Sequence, residues 1–233
     1  MTPPPGSDGP GGGRGDSTAS IAFLRWLWQP GEVRELRTLG DCPPCTGYFD
    51  GPEGLLAAAL AAGRNPAVRG VYLSLNPVLP ELMGRAANRL RQASRGESTK
   101  DHEIVRRRVL LLDVDPVRPA GINASHAEHK AAHDLAAVIR EDLAAAGWSE
   151  PAVVDTGNGA ALWYPVDLPA EDDGLLHRCL QALAARYDTD TARVDVAVAN
   201  ASRIARLPGT ANRKGDHLPD RPQRPCRALE VPT

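Results

Sequence analysis

The stretch of sequence that decides the fold is VLLLDVDP at residues 109–116. A run of aliphatic residues followed by an alternating end predicts a buried β-strand, and the proline closes it. Because side chains alternate between the two faces of a strand, Asp113 and Asp115 are expected to project from the same face near its end. Two carboxylates this close repel each other unless a cation lies between them, and hard divalent ions take oxygen ligands of this kind. The alternative interpretation is a strand that ends in two solvated acids.

The composition is ordinary for a soluble protein, and the distribution of charge along the chain suits an anionic substrate. The chain has 233 residues, of which 42% are hydrophobic and 24% charged, so it is long enough for a sizeable core. The net charge of −2 conceals two basic segments, at residues 85–108 and 203–227. These segments bracket the two aspartates in sequence, which suits a negatively charged ligand. A solvated surface would carry such charges as well.

Neither the apolar segments nor the cysteines point to a membrane or an oxidising compartment. No apolar run reaches the ~18 residues of a membrane span, and no signal peptide opens the chain. Cys42 and Cys45 have the spacing of metal ligands, but no second pair and no nearby histidine completes a site. A reduced, cytoplasmic protein without a membrane partner is therefore expected.

The order of elements predicts an α+β protein in two lobes. Residues 1–18 are rich in glycine and proline and are expected to form a disordered tail, followed by a single domain at residues 19–233. Helices are predicted from about Ile21, at Leu55–Ala62 and Pro80–Ala93, after Ser125, and from Pro169, and strands at Glu32–Leu39, Gly47–Phe49, Val71–Leu75, Ala152–Thr156, Ala160–Val166 and Val194–Val198.

Three local patterns carry further hypotheses. On the predicted helix Pro80–Ala93, Arg85 and Arg89 share the face opposite the apolar stripe, which suits a phosphate backbone or simply a solvated face. In the predicted strand Val194–Val198, the valines line one face and Asp195 the other. Gly157-Asn158-Gly159 is a strong hairpin turn.

The helix after Ser125 carries a pair of histidines. Ser125 and Glu128 form a capping box at its start. His129 and His133 stand at positions i and i+4, a geometry that can hold a metal ion. Because no third ligand joins them at a catalytic spacing, we favour exposed histidines.

Several landmarks, taken in order along the chain, resemble a known family. They are Leu75-Asn76-Pro77, Ser98-Thr99-Lys100-Asp101, Leu112-Asp113-Val114-Asp115-Pro116, Thr156-Gly157-Asn158-Gly159, Val194-Asp195, and the segment from Arg203 through Lys214-Gly215 to Arg221-Pro222. Their order and spacing resemble the primase-polymerase domain of the archaeo-eukaryotic primase superfamily, in the version found at the N-terminus of plasmid and phage replication proteins. The resemblance implies a two-lobed fold, with mixed or antiparallel sheets flanked by helices and a catalytic lobe like an RNA-recognition motif (RRM).

The resemblance also implies a function, template-directed nucleotidyl transfer by a DNA primase or polymerase. Its partners would be a DNA template and primer, nucleoside triphosphates, and a helicase supplied by another chain or by a missing C-terminal region. By the same resemblance, two Mg²⁺ or Mn²⁺ ions are held by a triad of aspartates, nucleotide is bound by basic residues and a glycine-rich turn, and nucleic acid is bound by further arginines. These residues are Asp113, Asp115 and Asp195 for the metals; Arg203, Lys214, Gly157, Asn158 and Gly159 for nucleotide; and Arg85, Arg89 and Arg206 for nucleic acid.

One position departs from the family pattern. The family places a histidine two residues after the glycine-rich turn, against the triphosphate of the incoming nucleotide, and here that position is Ala161. Because alanine donates no side-chain hydrogen bond, a weakened relative that binds nucleotide or single-stranded nucleic acid is the second hypothesis. A third hypothesis is a glycosyltransferase, since a strand followed by Asp-x-Asp also occurs in enzymes that use metal-bound nucleotide sugars. It leaves Asp195 and the basic residues after it unexplained.

Overall fold

The structure, a computed structural model, describes residues 14–94 and 96–233. These residues form an α+β fold with four α-helices and two antiparallel five-stranded sheets. The helices are α1 (Arg14–Leu27), α2 (Pro52–Gly63), α3 (His126–Ala145) and α4 (Leu175–Tyr187). The strands are β1 (Arg34–Gly40), β2 (Cys45–Phe49), β3 (Val68–Ser74), β4 (Arg91–Gln92), β5 (Arg106–Pro116), β6 (Ala152–Asp155), β7 (Ala160–Pro169), β8 (Ala192–Val194), β9 (Ile204–Arg206) and β10 (Arg227–Glu230). Helix α1 begins at Arg14, so residues 14–18 of the predicted tail are helical, and residues 1–13 lie outside the described residues.

The second sheet is the RRM-like lobe that the sequence predicts. Its strand order is β10-β6-β7-β5-β8, and the chain visits it as β5-α3-β6-β7-α4-β8. This β-α-β-β-α-β order, with β5 between β7 and β8, is the split βαβ arrangement. Helix α3 begins at the capping box of Ser125 and Glu128 and buries a stripe toward the sheet, formed by Ala132, Leu135, Ala136, Ile139 and Leu143.

The first sheet has the order β4-β2-β1-β3-β9 and packs against helix α2. Its apolar side joins that of the second sheet in one core cluster, which includes Leu36, Phe49 and Leu73 on one side and Leu112 and Trp163 on the other. A buried group of charges adds a polar link between the sheets: Glu32 accepts hydrogen bonds from Arg34 at 2.9 Å and from Arg108 at 2.9 Å. Arg34 lies in β1 and Arg108 in β5, so this carboxylate bridges the two sheets.

The prediction of a helix at Pro80–Ala93 was wrong. Residues Pro80–Gly84 form a short 3-10 helix, Asn88 has a left-handed φ of 48°, and β4 follows. The backbone here is engaged with β2 instead of with itself, since the amide of Tyr48 donates to Ala86 and the amide of Asn88 donates to Tyr48. Pairing of this segment with the sheet outweighs its helical periodicity.

Two other predicted elements differ from the structure. Strand β8 ends at Val194, and Asp195 caps a 3-10 helix at Val196–Ala199 by accepting the Ala197 amide at 2.8 Å, so Asp195 does not lie within a strand. The helix predicted to open at Pro169 begins at Leu175, because β7 continues to Pro169, which pairs with Arg106.

A search of the described residues for bilayer-crossing helices gives none, because every helix there is too short or too polar.

Candidate active site

Asp113, Asp115 and Asp195 converge at the C-terminal end of β5. One carboxylate oxygen from each lies within 4.8 Å of the other two. Asp113 and Asp115 lie on the same face of β5, and Asp195 is brought beside them because its amide donates to the carbonyl of Asp113 at 2.8 Å. Three carboxylates at this spacing form an all-oxygen donor set of the kind that Mg²⁺ and Mn²⁺ prefer.

The electrostatics of this cluster favour a bound cation. Burial, together with the charges of Asp115 and Asp195, raises the pKa of Asp113 to about 8, although Lys214 and Arg203 oppose the shift. Part of this shift comes from repulsion among the three carboxylates, and a divalent ion bound between them would relieve that repulsion. The residues present therefore fit the divalent ions that the resemblance implies.

The aspartates lie in a cleft of about 390 Å³ between the two sheets. Strand β5 of the second sheet supplies Asp113 and Asp115, Asp195 follows β8, and the first sheet supplies Tyr72 and Arg206 on the paired strands β3 and β9. Basic side chains surround the acids, and they are Arg69, Arg118, Arg203, Arg206 and Lys214. A cleft with carboxylates at one end and fixed cations around them suits a metal-bound polyanion such as a triphosphate.

Two of these arginines have donors available. The Nε atoms of Arg118 and Arg203 are buried and have no hydrogen-bond partner within the described ranges 14–94 and 96–233. Arg118 also approaches Asp115 at 3.8 Å, and one terminal nitrogen of Arg203 donates to the carbonyl of Ala197. Buried guanidinium donors without partners are costly in a folded protein, and an anion in the cleft would satisfy them.

Arg206 is engaged differently from the prediction. Its guanidinium donates to the hydroxyl of Tyr72 at 2.8 Å and stacks over that ring at 4.8 Å. It lines the cleft, but its role in binding nucleic acid stays a prediction.

The loop that carries Lys214 is fixed by two asparagines that the sequence analysis missed. Asn212 donates to the carbonyl of Thr156 at 2.8 Å and accepts the amide of Lys214 at 3.2 Å. Asn123 accepts the amide of Gly215 at 3.3 Å. These contacts join the Lys214 loop to the glycine-rich turn, which only the folded chain brings near it.

The turn Gly157-Asn158-Gly159 connects β6 to β7 as predicted. The Gly157 amide donates to Asp155 at 2.7 Å, and the Gly159 amide donates to the Thr156 hydroxyl at 3.0 Å. Asn158 is buried and accepts the amide of Ala124 at 2.8 Å. The turn therefore uses these groups to hold its own shape, and phosphate binding by them stays a prediction.

Ala161, which stands at the position where the family has a histidine, lies beside Asp113 in the cleft. It pairs with Asp113 across β5 and β7, so the two side chains share a face of the sheet, and Ala161 lines the cleft.

Arg85 and Arg89 do not line this cleft. Arg85 is paired with Glu103 at 2.5 Å and donates to the hydroxyl of Tyr48, whereas Arg89 is exposed. Because the predicted helix is absent, the shared cationic face that motivated both predictions is absent too. Cys42 and Cys45 are free cysteines.

Several residues that line the cleft were not predicted from the sequence, because few sequence patterns mark them. Arg118 lies only two residues after the landmark that ends at Pro116, whereas Arg69 lies outside the quoted landmarks and comes from the first sheet. An asparagine two residues before Lys214 is a further local signal, because Asn side chains often bond backbone groups two residues on.

Comparison with known proteins places the fold but gives no family by sequence. No protein-family model matches the chain, and no curated protein matches it. Among solved structures, primase RepB′ aligns with 92% of this chain at 18% identity and a TM-score of 0.51. This chain spans 56% of the length of that protein.

Two further structures align less closely. The catalytic domain of primase RepB′ in complex with initiator DNA aligns with 92% of this chain and 85% of its own at 18% identity and a TM-score of 0.49. The polymerase domain of Mycobacterium tuberculosis ligase D in complex with DNA aligns with 90% and 79% at 17% identity and a TM-score of 0.47. At this level of identity the likeness to primase RepB′ concerns the fold alone, and the chain shares the α+β fold of that protein, in line with the fold that its sequence landmarks predict.

Proposed function

We propose that this chain catalyses metal-dependent, template-directed nucleotidyl transfer, as a DNA primase or polymerase. The observation that carries the proposal is the convergence of Asp113, Asp115 and Asp195 within 4.8 Å in a cleft rimmed by basic side chains. The fold, which is similar to that of primase RepB′, supports it, since Asp113 and Asp115 lie on the inner strand β5 of the RRM-like lobe and Asp195 directly follows its edge strand β8.

In this proposal the three aspartates hold two Mg²⁺ or Mn²⁺ ions. When bound, these ions supply the positive charge that activates the attacking hydroxyl and stabilises the leaving pyrophosphate. Lys214 and Arg203 bind the triphosphate, and the asparagine contacts to the backbone of Lys214 and Gly215 hold the loop that carries Lys214 at the cleft. Arg206 and the rest of the basic rim bind the template and primer backbone. A helicase from another chain or a C-terminal region would supply unwound template.

A second function is favoured by one observation, the alanine opposite Asp113. A protein that binds nucleotide or single-stranded nucleic acid without turnover would keep the fold and the cations but lose the donor expected at Ala161. The glycosyltransferase hypothesis has less support, because it gives no reason for Asp195 and the basic residues to share the cleft.

Primer extension separates these functions. A labelled primer on a DNA template is incubated with Mg²⁺ or Mn²⁺ and with deoxynucleotides or ribonucleotides in separate reactions. We expect metal-dependent growth of the primer, reduced by about two orders of magnitude or more in Asp195→Asn. Asp190→Asn, which changes an exposed carboxylate outside the cleft, is the matched control and should retain activity. Nucleotide binding without growth would favour the second function, and unchanged extension in Asp195→Asn would contradict the triad.

A further inference from the structure

A second group of potential metal ligands lies where helix α3 meets the end of strand β6. His129, His133 and Asp155 each offer a ligand atom within 4.8 Å of the others. The Nε2 atoms of His129 and His133 lie 3.0 and 3.6 Å from the same oxygen of Asp155. The interpretation of the two histidines as exposed was wrong, since their side chains are 20% and 24% exposed.

Hydrogen bonding within the protein accounts for His129 but not for His133. The Nε2 atom of His133 is buried and has no hydrogen-bond partner in residues 14–94 and 96–233. Asp155 Oδ1 already accepts the amide of Gly157 at 2.7 Å and shares a hydrogen bond of 3.0 Å with Nε2 of His129, and the two imidazole rings lie 4.4 Å apart. A buried ring nitrogen directed at a shared carboxylate oxygen lacks the partner that such atoms normally have.

The spacing of the ligand atoms fits a metal ion of borderline softness. Bonds of about 2.0–2.2 Å from Zn²⁺ to nitrogen and oxygen place neighbouring ligands of a tetrahedron about 3.3 Å apart. The two distances of 3.0 and 3.6 Å lie on either side of that value. Two imidazoles with one carboxylate also favour zinc and similar transition ions over Mg²⁺, which prefers oxygen ligands alone.

We propose that His129, His133 and Asp155 bind a divalent transition-metal ion of the Zn²⁺ class, at a site separate from the aspartate triad. Three protein ligands leave a fourth position for water. The proposal does not depend on the proposed enzymatic function.

The charge state of Asp155 agrees with this site. Burial acts to raise the pKa of Asp155, but the nearby His129 and His133 and the amide of Gly157 outweigh it, so the pKa lies well below its usual range. The carboxylate is therefore ionised, as a metal ligand must be.

The site would couple helix α3 to the glycine-rich turn. Asp155 ends β6 and receives the amide of Gly157, and the adjacent Thr156 accepts a hydrogen bond from Asn212 in the Lys214 loop. An ion that fixes Asp155 would thereby also fix the turn and the loop that depends on it.

The test uses the full chain with the triad removed by the double substitution Asp113→Asn and Asp195→Asn. Co²⁺, which takes the geometry of Zn²⁺ but absorbs visible light, is titrated into this variant, and Zn²⁺ is then used to displace it. We expect about one equivalent of Co²⁺ to bind with the absorption of a low-coordinate site, and Zn²⁺ to raise the melting temperature.

Variants of the proposed ligands complete the test. His133→Ala and His129→Ala in the same background should weaken binding by about 100-fold or more, whereas His177→Ala, at an exposed position on α4, should not change it. Circular dichroism checks that each variant is folded, and His133→Gln replaces any alanine variant that is not. The absence of Co²⁺ and Zn²⁺ binding in the double-substituted chain would overturn the proposal, as would unchanged binding in a folded His133 variant.

Discussion

At the scale of single residues, Asp113 places function and stability in opposition. Its carboxylate has a pKa of about 8 in the folded chain, against an ordinary value of 3.8, because burial and two neighbouring carboxylates disfavour its charge. Between these two pH values the folded chain binds more protons than the unfolded chain, so this residue lowers stability as the pH rises from about 4 to about 8.

Asp113→Asn should therefore stabilise the metal-free protein at pH 8. We expect a gain of more than about 1 kcal/mol in the free energy of unfolding, and a smaller gain as the pH falls toward 4, because the carboxyl is then protonated in the wild type as well. Urea unfolding in the presence of a chelator measures both values. A variant that is no more stable than the wild type at pH 8 would show that Asp113 is not strained by its neighbours.

Ala161 gives a second prediction at this scale. Because it faces Asp113 in the cleft, Ala161→His should add one hydrogen bond to a bound nucleotide and raise nucleotide affinity or extension rate several-fold, equivalent to about 1 kcal/mol or more. Ala161→Leu, which adds bulk without a donor, is the control and should bring no gain. If both variants behave alike, or if histidine adds nothing in an active protein, another group already fills this role.

Lys214 gives the third prediction. Its side chain is exposed at the edge of the cleft, and its backbone is held by Asn212. Lys214→Ala should weaken binding of nucleoside triphosphate more than binding of single-stranded DNA, by about 1.5–3 kcal/mol, because a charge-assisted contact to phosphate is lost. Fluorescence titrations of each ligand measure the two effects, with Lys130→Ala on α3 as the control. If the affinities for both ligands fell equally, Lys214 would instead belong to the surface that binds nucleic acid.

The residues of the site differ in how far sequence predicts them. Asp113 and Asp115 follow from strand alternation alone, because both lie in one strongly apolar segment. Asp195 was expected inside a strand and instead caps a 3-10 helix. It still lies beside the other two aspartates, because its backbone amide donates a hydrogen bond to the carbonyl of Asp113. Arg69 could not be predicted, because nothing in its local sequence records that the fold brings its strand to the cleft, whereas Arg118 follows Asp115 by three residues and that proximity was a missed signal.

At the scale of elements, the turn between β6 and β7 depends on a close approach of backbones. A Cβ atom added at Gly159 would lie 2.3 Å from the carbonyl oxygen of Val114 in β5, which is part of the backbone and cannot move aside. This approach explains why the glycine is needed and why the turn lies beside the strand that carries Asp113.

Gly159→Ala should therefore destabilise the protein by about 1–3 kcal/mol and disturb the site at the same time. Gly54→Ala is the matched control, since Gly54 lies within helix α2 and its added Cβ would meet only the Phe49 ring at 3.8 Å. The control should be stabilising by about 0.5–1 kcal/mol. Urea unfolding of both variants checks the comparison, and an equal response at the two positions would contradict the close packing at Gly159.

Helices and strands were predicted correctly where a capping or turn motif in the local sequence fixes them. The helix after Ser125 and the hairpin at Gly157-Asn158-Gly159 were confirmed because a capping box and a turn motif fix them locally. The segment at Pro80–Ala93 has a helical pattern as well, but its backbone groups pair with β2, a partner more than thirty residues away. Short strands such as β9 have three residues and carry no local signal at all.

At the scale of the whole molecule, the two sheets do not correspond to two halves of the chain. The first four strands build the first sheet, β5 to β8 build the second, and then β9 returns to the edge of the first sheet and β10 to the edge of the second. The sequence predicted two lobes, but this final exchange depends on long-range pairing that no pattern in the sequence records.

Both sheets should therefore unfold together. We expect a single transition in urea, with the same midpoint by tryptophan fluorescence and by circular dichroism. Deletion of residues 201–233 removes an edge strand from each sheet and should abolish cooperative unfolding of the entire chain. A truncated chain that keeps one sharp transition, or a full-length chain with two, would show that one sheet is stable alone.

The same exchange limits how the cleft between the sheets can move. The chain crosses from one sheet to the other three times, between β4 and β5, between β8 and β9, and between β9 and β10. Two bodies joined by one linker swing apart easily, but three connections, with the Glu32 bridge beside them, must all bend at once. We therefore expect a slot of nearly constant width, which takes up its nucleotide and template without any moving lid.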